Sequence, residues 1–295
     1  LVLCTLIFFM LCSVTSFASS KKVVSEATVV SGGDLLISST ILRNSKTSNG
    51  YNFNYIFKHV DDYVKAADYA VINLETSIGG SKLGYAGFPR FNTPESIVTS
   101  AKNAGFDMFL TASNHSYDLG YKPVKYRVDV LNKAEVDRIG TRKFSWGNLH
   151  KVVNVNGIKI GMLNYTRESG YSTKSRVILN RTRTGPGGSY ESVVVDKKGQ
   201  KLIASYNEKY LNEFYSRLAN DIKSLKQKGA EIIVVYPHWG AEYVITVEDM
   251  EAKIAQKMCD LGVDVIIGGH PHVVEPVRVY TSKKSGKTTV CLHSM

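Results

Sequence analysis

Apolar and polar positions fall into blocks along the chain, and the blocks predict strands that alternate with helices. Residues 28–31 are rich in β-branched side chains and stop at Gly32-Gly33-Asp34, which reads as a first strand and its turn. Residues 53–67 carry Ile56, Phe57, Val60 and Val64 at helical spacing, predicting a helix. A compact apolar run, 69–74, then reads as a strand closed by Glu75. Residues 94–104 predict a helix with Thr93 as N-cap and Gly105 as stop. A strand over 106–111 leads to Asn114-His115, and 121–134 predicts another helix.

The middle of the chain has a different pattern. Segments 152–155 and 158–163 flank Asn156-Gly157, a strong hairpin signal. Residues 166–190 are polar and rich in Gly, Ser, Thr and Arg, predicting a long loop, and 192–205 predicts a second hairpin around Lys197-Lys198-Gly199. An amphipathic helix over 210–228 precedes a buried strand at 231–236 and then Pro237-His238-Trp239-Gly240. A helix over 248–261 precedes a strand at 263–267 and Gly268-Gly269-His270-Pro271-His272. Strands at 277–280 and 288–293 complete the pattern, which is that of an α/β fold. No fixed-period repeat and no linker divides it, so 27–295 reads as a single domain.

Residues 1–20 are almost wholly apolar up to Phe17, and Ser16-Phe17-Ala18 supplies the small residues of a signal-peptidase site. This predicts a secretory signal, with an uncleaved N-terminal anchor as the competing reading; the run is short for a span of roughly 20 apolar residues. Either places the protein outside the cytoplasm. The lack of an initiator Met and basic leader, and an end just after a strand, predict a sequence truncated at both ends.

The net charge of +11 suits anionic partners such as lipid, wall polymer or capsule. A solvated surface with no dedicated partner explains it equally well. Nucleic acid is disfavoured, because no Lys/Arg run or aromatic-basic stacking motif is present. Cys4 and Cys12 lie in the N-terminal segment, which leaves Cys259 and Cys291 either bridged or as free thiols.

The chemistry lies where strands end. Asp34, Glu75, Asn114-His115, His238 and His270-Pro271-His272 each follow an apolar strand. In open α/β sheets such ends converge on one ligand-binding edge. Each residue taken singly has a bland explanation as a turn, cap or core histidine; two histidines in one tight turn are the hardest to explain by packing. Carboxylate, amide and imidazole donors together suit Mn, Fe or Zn, and paired metals can activate water and clamp a phosphoryl group. Asp118 is placed to orient His115.

Gly33-Asp34, Asn73-Leu74-Glu75, Ser113-Asn114-His115-Ser116-Tyr117-Asp118-Leu119-Gly120, His238-Trp239-Gly240-Ala241-Glu242-Tyr243 and Gly269-His270-Pro271-His272-Val273 resemble the motif series of the capsule-synthesis CapA family, itself similar to the calcineurin-like metallophosphoesterases. The resemblance implies a sandwich of two mixed β-sheets flanked by α-helices, with one or two divalent ions at the strand ends. It implies Asp34 and His272 on metal one, Glu75 bridging, Asn114, His238 and His270 on metal two, and His115 as donor to the leaving oxygen. Leu36 stands where the wider superfamily has a metal-binding histidine, which weakens metal one. The implied function is extracytoplasmic capsule biosynthesis through a phosphoesterase-type site, with poly-γ-glutamate as the polymer and a membrane-bound synthesis or export complex as partner. The alternative is a non-catalytic polymer-binding component with a vestigial site.

Overall fold

The computed structural model describes residues 25–169, 177–183 and 190–295. The expected signal or anchor at 1–20 lies outside them. In chain order the elements are β1 (Val29–Asp34), α1 (Ser39–Asn44), a small ribbon of β2 (Lys46–Thr47) and β3 (Gly50–Tyr51), α2 (Asp61–Lys65), β4 (Tyr69–Asn73), α3 (Ser96–Asn103), β5 (Met108–Leu110), α4 (Tyr121–Lys133) and β6 (Asp137–Ile139). There follow β7 (Lys151–Val155), β8 (Ile158–Arg167), β9 (Val177–Arg183), β10 (Tyr190–Val195), α5 (Lys197–Gln200), β11 (Ser205–Tyr206), α6 (Leu211–Gln227), β12 (Ile232–His238), α7 (Asp249–Asp260), β13 (Val265–Ile267), β14 (Val277–Thr281) and β15 (Thr288–Leu292).

Two sheets carry the fold. The first has four parallel strands in the order β1-β4-β5-β6. The second has seven strands and is mixed: β11, β8, β12, β13 and β15 run parallel, while β14 and β7 are antiparallel additions. Alternation along each strand decides the layers. Val71, Met108, Leu110 and Ile139 of the first sheet meet Val153, Ile160, Met162, Val234 and Tyr236 of the second in a shared core. On the outer face of the first sheet, Ala70, Ile72 and Phe109 pack on Leu42, Ile97, Val98, Ala101 and Leu131 from α1, α3 and α4. On the outer face of the second, Leu163, Tyr165, Ile233 and Val235 pack on Phe214, Leu218, Ile222, Ile254 and Met258 from α6 and α7. The result is the expected helix–sheet–sheet–helix sandwich, with one difference: the second sheet is mixed, but the first is wholly parallel rather than mixed. Strands buried on both faces explain why β4 and β12 read as continuous apolar runs.

Several local expectations are corrected. The helix expected over 53–67 is broken into a turn at Asn54–Ile56 and the short α2. The Asn52 side chain accepts from the Asn54 N–H, a local bond that competes with helix formation, and Val60 faces solvent instead of completing the apolar stripe. Thr93 is not an N-cap: its hydroxyl pairs with that of Thr76, and α3 starts at Ser96. The loop expected over 166–190 contains the end of β8 and the antiparallel ribbon β9–β10. Residues 192–195 pair back with β9, so the second hairpin is absent; Asp196 caps the one-turn α5 by accepting from the Gly199 N–H. The Asn156-Gly157 hairpin forms as expected, both residues at positive φ. Cys259 and Cys291 are buried free thiols.

Candidate metal centre

The strand ends of both sheets meet along one edge. Asp34 ends β1, Glu75 follows β4, Asn114 and His115 follow β5, His238 ends β12, and His270 and His272 follow β13. Backbone bonds tie the two histidine-bearing loops together: Gly269 N donates to Pro237 O (3.1 Å) and Trp239 N to Gly269 O (3.0 Å). A Cβ at Gly269 would lie 2.8 Å from Asp34 Oδ1, so this approach of loop to carboxylate requires glycine. His270 and His272 have φ of 101° and 57°. Left-handed backbone at non-glycine residues stores about 1–3 kcal/mol each and clusters at functional sites.

The side chains converge as the sequence predicted. Asp34 Oδ2 lies 3.1 Å from His272 Nδ1 and accepts from the His270 N–H at 2.9 Å, while Oδ1 accepts from Asn73 Nδ2 at 2.6 Å. His238 Nε2 is 3.0 Å from Asn114 Oδ1 and 3.4 Å from Glu75 Oε1. Glu75 Oε1 is 4.0 Å from His272 Nε2, and the His238 and His270 rings are 4.7 Å apart. Glu75, His270 and His272 can offer ligand atoms to one cation, and Asp34, Glu75 and His238 to another, with Glu75 common to both groups. The six expected ligand residues therefore occupy one place.

The donor set fits a cation. Glu75 is fully buried, yet among the described residues neither carboxylate oxygen has a hydrogen-bond partner, and neither does the buried His270 Nδ1. Buried polar atoms are nearly always paired, so such atoms facing one another form a ready ligand shell. Burial, together with His238, Arg167 and His272 nearby, holds His270 well below the usual imidazole range, leaving it neutral with a lone pair. Burial would push the Asp34 carboxyl up, but hydrogen bonds from His272 and Asn73, the nearby His238 and the His270 N–H hold it well below the usual carboxylate range. The hydrogen bond to Asp34 pushes His272 up to about 9, against burial. Leu36 is half-buried and offers no donor.

His115 stands beside this cluster. Its Nδ1 is 2.8 Å from Asp118 Oδ2 and 3.1 Å from Asn180 Nδ2, and its ring meets Phe91 edge-on at 4.6 Å. Burial opposes the charged ring, but Asp118, Glu75 and Glu242 raise its pKa overall. Asp118 also accepts from the Phe91 N–H (3.0 Å), which fixes the carboxylate. A cleft of about 290 Å³ opens over these groups, lined by Asn114, Arg167, Asn180, His238, Glu242 and His270 among others.

The bacterial capsule synthesis protein PGA_cap family matches residues 28–295, nearly all of the described chain. The chain belongs to that family. Two curated relatives are similar: the capsule biosynthesis protein CapA of Bacillus anthracis, 28% identical over 79% of this chain and 52% of that protein, and the PGA biosynthesis protein CapA of Bacillus subtilis, 28% identical over 76% and 53%. The chain thus spans about half the length of the curated relatives it matches. Among solved structures it is similar to a novel phosphatase from Mycoplasma pneumoniae, with TM-score 0.46 and 15% identity over 92% of this chain and 73% of that one. It is also similar to the sulfate thiohydrolase SoxB of Thermus thermophilus, with TM-score 0.42 and 13% identity over 82% and 37%.

Two asparagines of this PGA_cap chain were not singled out in the sequence. Asn73 joins Asp34 to His238, its Nδ2 lying 2.6 and 3.2 Å from them; its place at the head of the Asn73-Leu74-Glu75 block was the available signal. Asn180 reaches His115 from β9, in a segment whose polar composition carried no signal at all.

Proposed function

We propose that this chain is an extracytoplasmic capsule-assembly protein whose strand-end centre binds one or two divalent ions, Mn, Fe or Zn, and acts on an anionic surface polymer, poly-γ-glutamate or a phosphorylated precursor. The supporting observation is the buried Glu75 carboxylate, which has no hydrogen-bond partner among the described residues and lies within 4.0 Å of both His238 and His272. In the partition that the family resemblance implies, Asp34, Glu75 and His272 would hold one ion, and Asn114, His238 and His270 the other with Glu75 shared; the spacing of ligand atoms instead groups His270 with His272 and His238 with Asp34, each around Glu75. Such ions supply Lewis-acid polarisation of a phosphoryl oxygen and lower the pKa of an attacking water. Asp118 fixes the His115 ring through Nδ1, so that Nε2 is the nitrogen that donates to a leaving oxygen. Arg167, on the cleft wall, is the cation that meets the anionic substrate. Secretion or anchoring by residues 1–20, a single domain over 27–295, and work within a membrane-bound synthesis or export complex belong to the same reading.

Elemental analysis together with bis(p-nitrophenyl) phosphate hydrolysis tests it. Mn, Fe or Zn should copurify, His270→Ala and His272→Ala should lose metal and turnover, and His115→Ala should keep metal while losing turnover. Metal-free protein with unchanged turnover would refute the metal centre; intact turnover in His115→Ala would refute the donor role. One observation favours a second reading, polymer binding without turnover: Leu36 leaves metal one with a reduced protein shell. Under that reading metal copurifies and the hydrolysis assay stays at background.

A further inference from the structure

Behind the two histidine loops lies another cluster. Glu251 in the first turn of α7, Glu275 on the segment before β14 and His293 just after β15 are each at most 3% exposed. Their candidate ligand atoms all lie within 4.8 Å of one another. Nothing in the strand-end centre uses them.

Among the described residues, the hydrogen bonding shows what these groups lack. Glu251 Oε2 accepts from the Glu248 N–H (2.8 Å), completing the capping box of α7, but Oε1 has no partner. Glu275 is buried with neither oxygen satisfied. His293 is fully buried: its Nε2 lies 2.9 Å from the Tyr280 hydroxyl and its Nδ1 is unpartnered. The buried Ser294 hydroxyl is unpartnered as well. An imidazole whose Nε2 is oriented by an outer hydroxyl while its Nδ1 is left unbonded, in a ring with a ligand atom within 4.8 Å of two carboxylates, has the arrangement of a metal-binding histidine. Two carboxylates and one imidazole form a donor set suited to Zn or Mn. Gly240 keeps the space open, since a Cβ there would lie 2.6 Å from Glu251 Oε1. Without a cation the arrangement is unfavourable: burial, and for Glu275 also the charge of Glu251, pushes both carboxyls up to about 7.

The position assigns a role. Trp239, next to His238, stacks on His293 with rings 17° apart and donates from its indole nitrogen to His293 O (2.9 Å). Gly268 N donates to Leu292 O (2.8 Å), so the loop bearing His270 and His272 is seated on the same strand end. We propose that Glu251, Glu275 and His293 form a second, buried site for a divalent transition-metal ion, which braces from behind the loops that carry His238, His270 and His272.

The test uses the full-length protein with the strand-end centre disabled by His238→Ala and His272→Ala. After equilibration with Zn²⁺ and gel filtration, this double variant should retain about one Zn per chain, the complement of a single three-residue site. Adding Glu275→Gln, nearly isosteric, should remove that Zn while the far-ultraviolet circular dichroism is kept. In a parallel measurement on the otherwise unaltered protein, Zn²⁺ should raise the melting temperature more than it does in Glu251→Gln/Glu275→Gln. That variant should melt in EDTA no lower than its parent, which separates loss of the site from misfolding. A double variant that binds no Zn²⁺, or Zn²⁺ that survives both Glu→Gln changes, would overturn the proposal. So would a parent whose melting in EDTA shifts with pH through carboxyl protonation while Zn²⁺ has no effect. None of these readouts depends on turnover, so failure of the proposed activity leaves them intact.

Discussion

At the scale of single residues, charge and hydrogen bonding around His115 matter more than proximity. Asp118 is buried, accepts from the Phe91 backbone and lies 2.8 Å from His115 Nδ1, so it fixes both the orientation and the charge preference of the ring. Asn at this position keeps the shape but not the charge. Asp118→Asn should therefore lower phosphodiester turnover by about 10²-fold, the lower end of what a positioned acid contributes, while metal content stays at the parent level. If metal falls together with turnover, Asp118 is acting on the ligand shell and not through His115. Asp118 was legible because it sits three positions from His115 in a polar block. Asn180 was not, because contacts across 65 positions leave no local trace.

At the scale of elements, strands that end in ligand-type residues were readable because a doubly buried strand is a short apolar run and the next residue stands out against it. Edge and ribbon elements were not. Among the described residues β9 and β10 pair with each other alone, and Val177, Leu179 and Val195 are their buried apolar side chains, too few to stand out from the Arg, Thr and Gly around them. The helix expected over 53–67 failed because periodicity reports which face is apolar, not whether a side chain such as Asn52 will cap the backbone first. α6 was readable from its stripe, and a polar contact fixes it on the second sheet. Asp221 accepts from Tyr165 on β8 at 2.6 Å and lies 3.3 Å from His150 Nε2. Burial opposes the Asp221 carboxylate, yet His150, Tyr165 and Arg217 outweigh it and hold its pKa below the usual carboxylate range. An acid with a depressed folded-state pKa contributes stability above its unfolded value and loses that contribution as pH falls through the folded one. Asp221→Asn should accordingly reduce unfolding free energy at pH 7 by about 1–2 kcal/mol, the scale of hydrogen bonds to a charged group. The gap between variant and parent should close as denaturant titrations move into the acid range and through the lowered Asp221 pKa. A gap that persists at low pH would mean that shape, not charge, is what α6 requires there.

At the scale of the whole molecule, the sandwich brings the strand ends of two sheets that share a core to one edge, and the net charge of +11 gives the chain as a whole a field favourable to polyanions. Field and site predict different salt behaviour. Exposed charges are screened over about 10 Å at 0.1 M salt and about 3 Å at 1 M, whereas buried ligand shells are hardly screened. If the anionic polymer is gathered by the basic surface, retention of poly-γ-glutamate on immobilised protein should fall steeply between 0.1 and 1 M NaCl, by about 10-fold or more for several exposed contacts. Metal content measured on the same samples should not change. Dextran, a neutral polymer of similar size, should not be retained at either salt concentration. Retention of poly-γ-glutamate that ignores salt but is lost with His272→Ala would mean that the metal centre itself holds the polymer and that the surface charge only keeps the protein dispersed. Equal retention of dextran would remove charge from the account of recognition altogether.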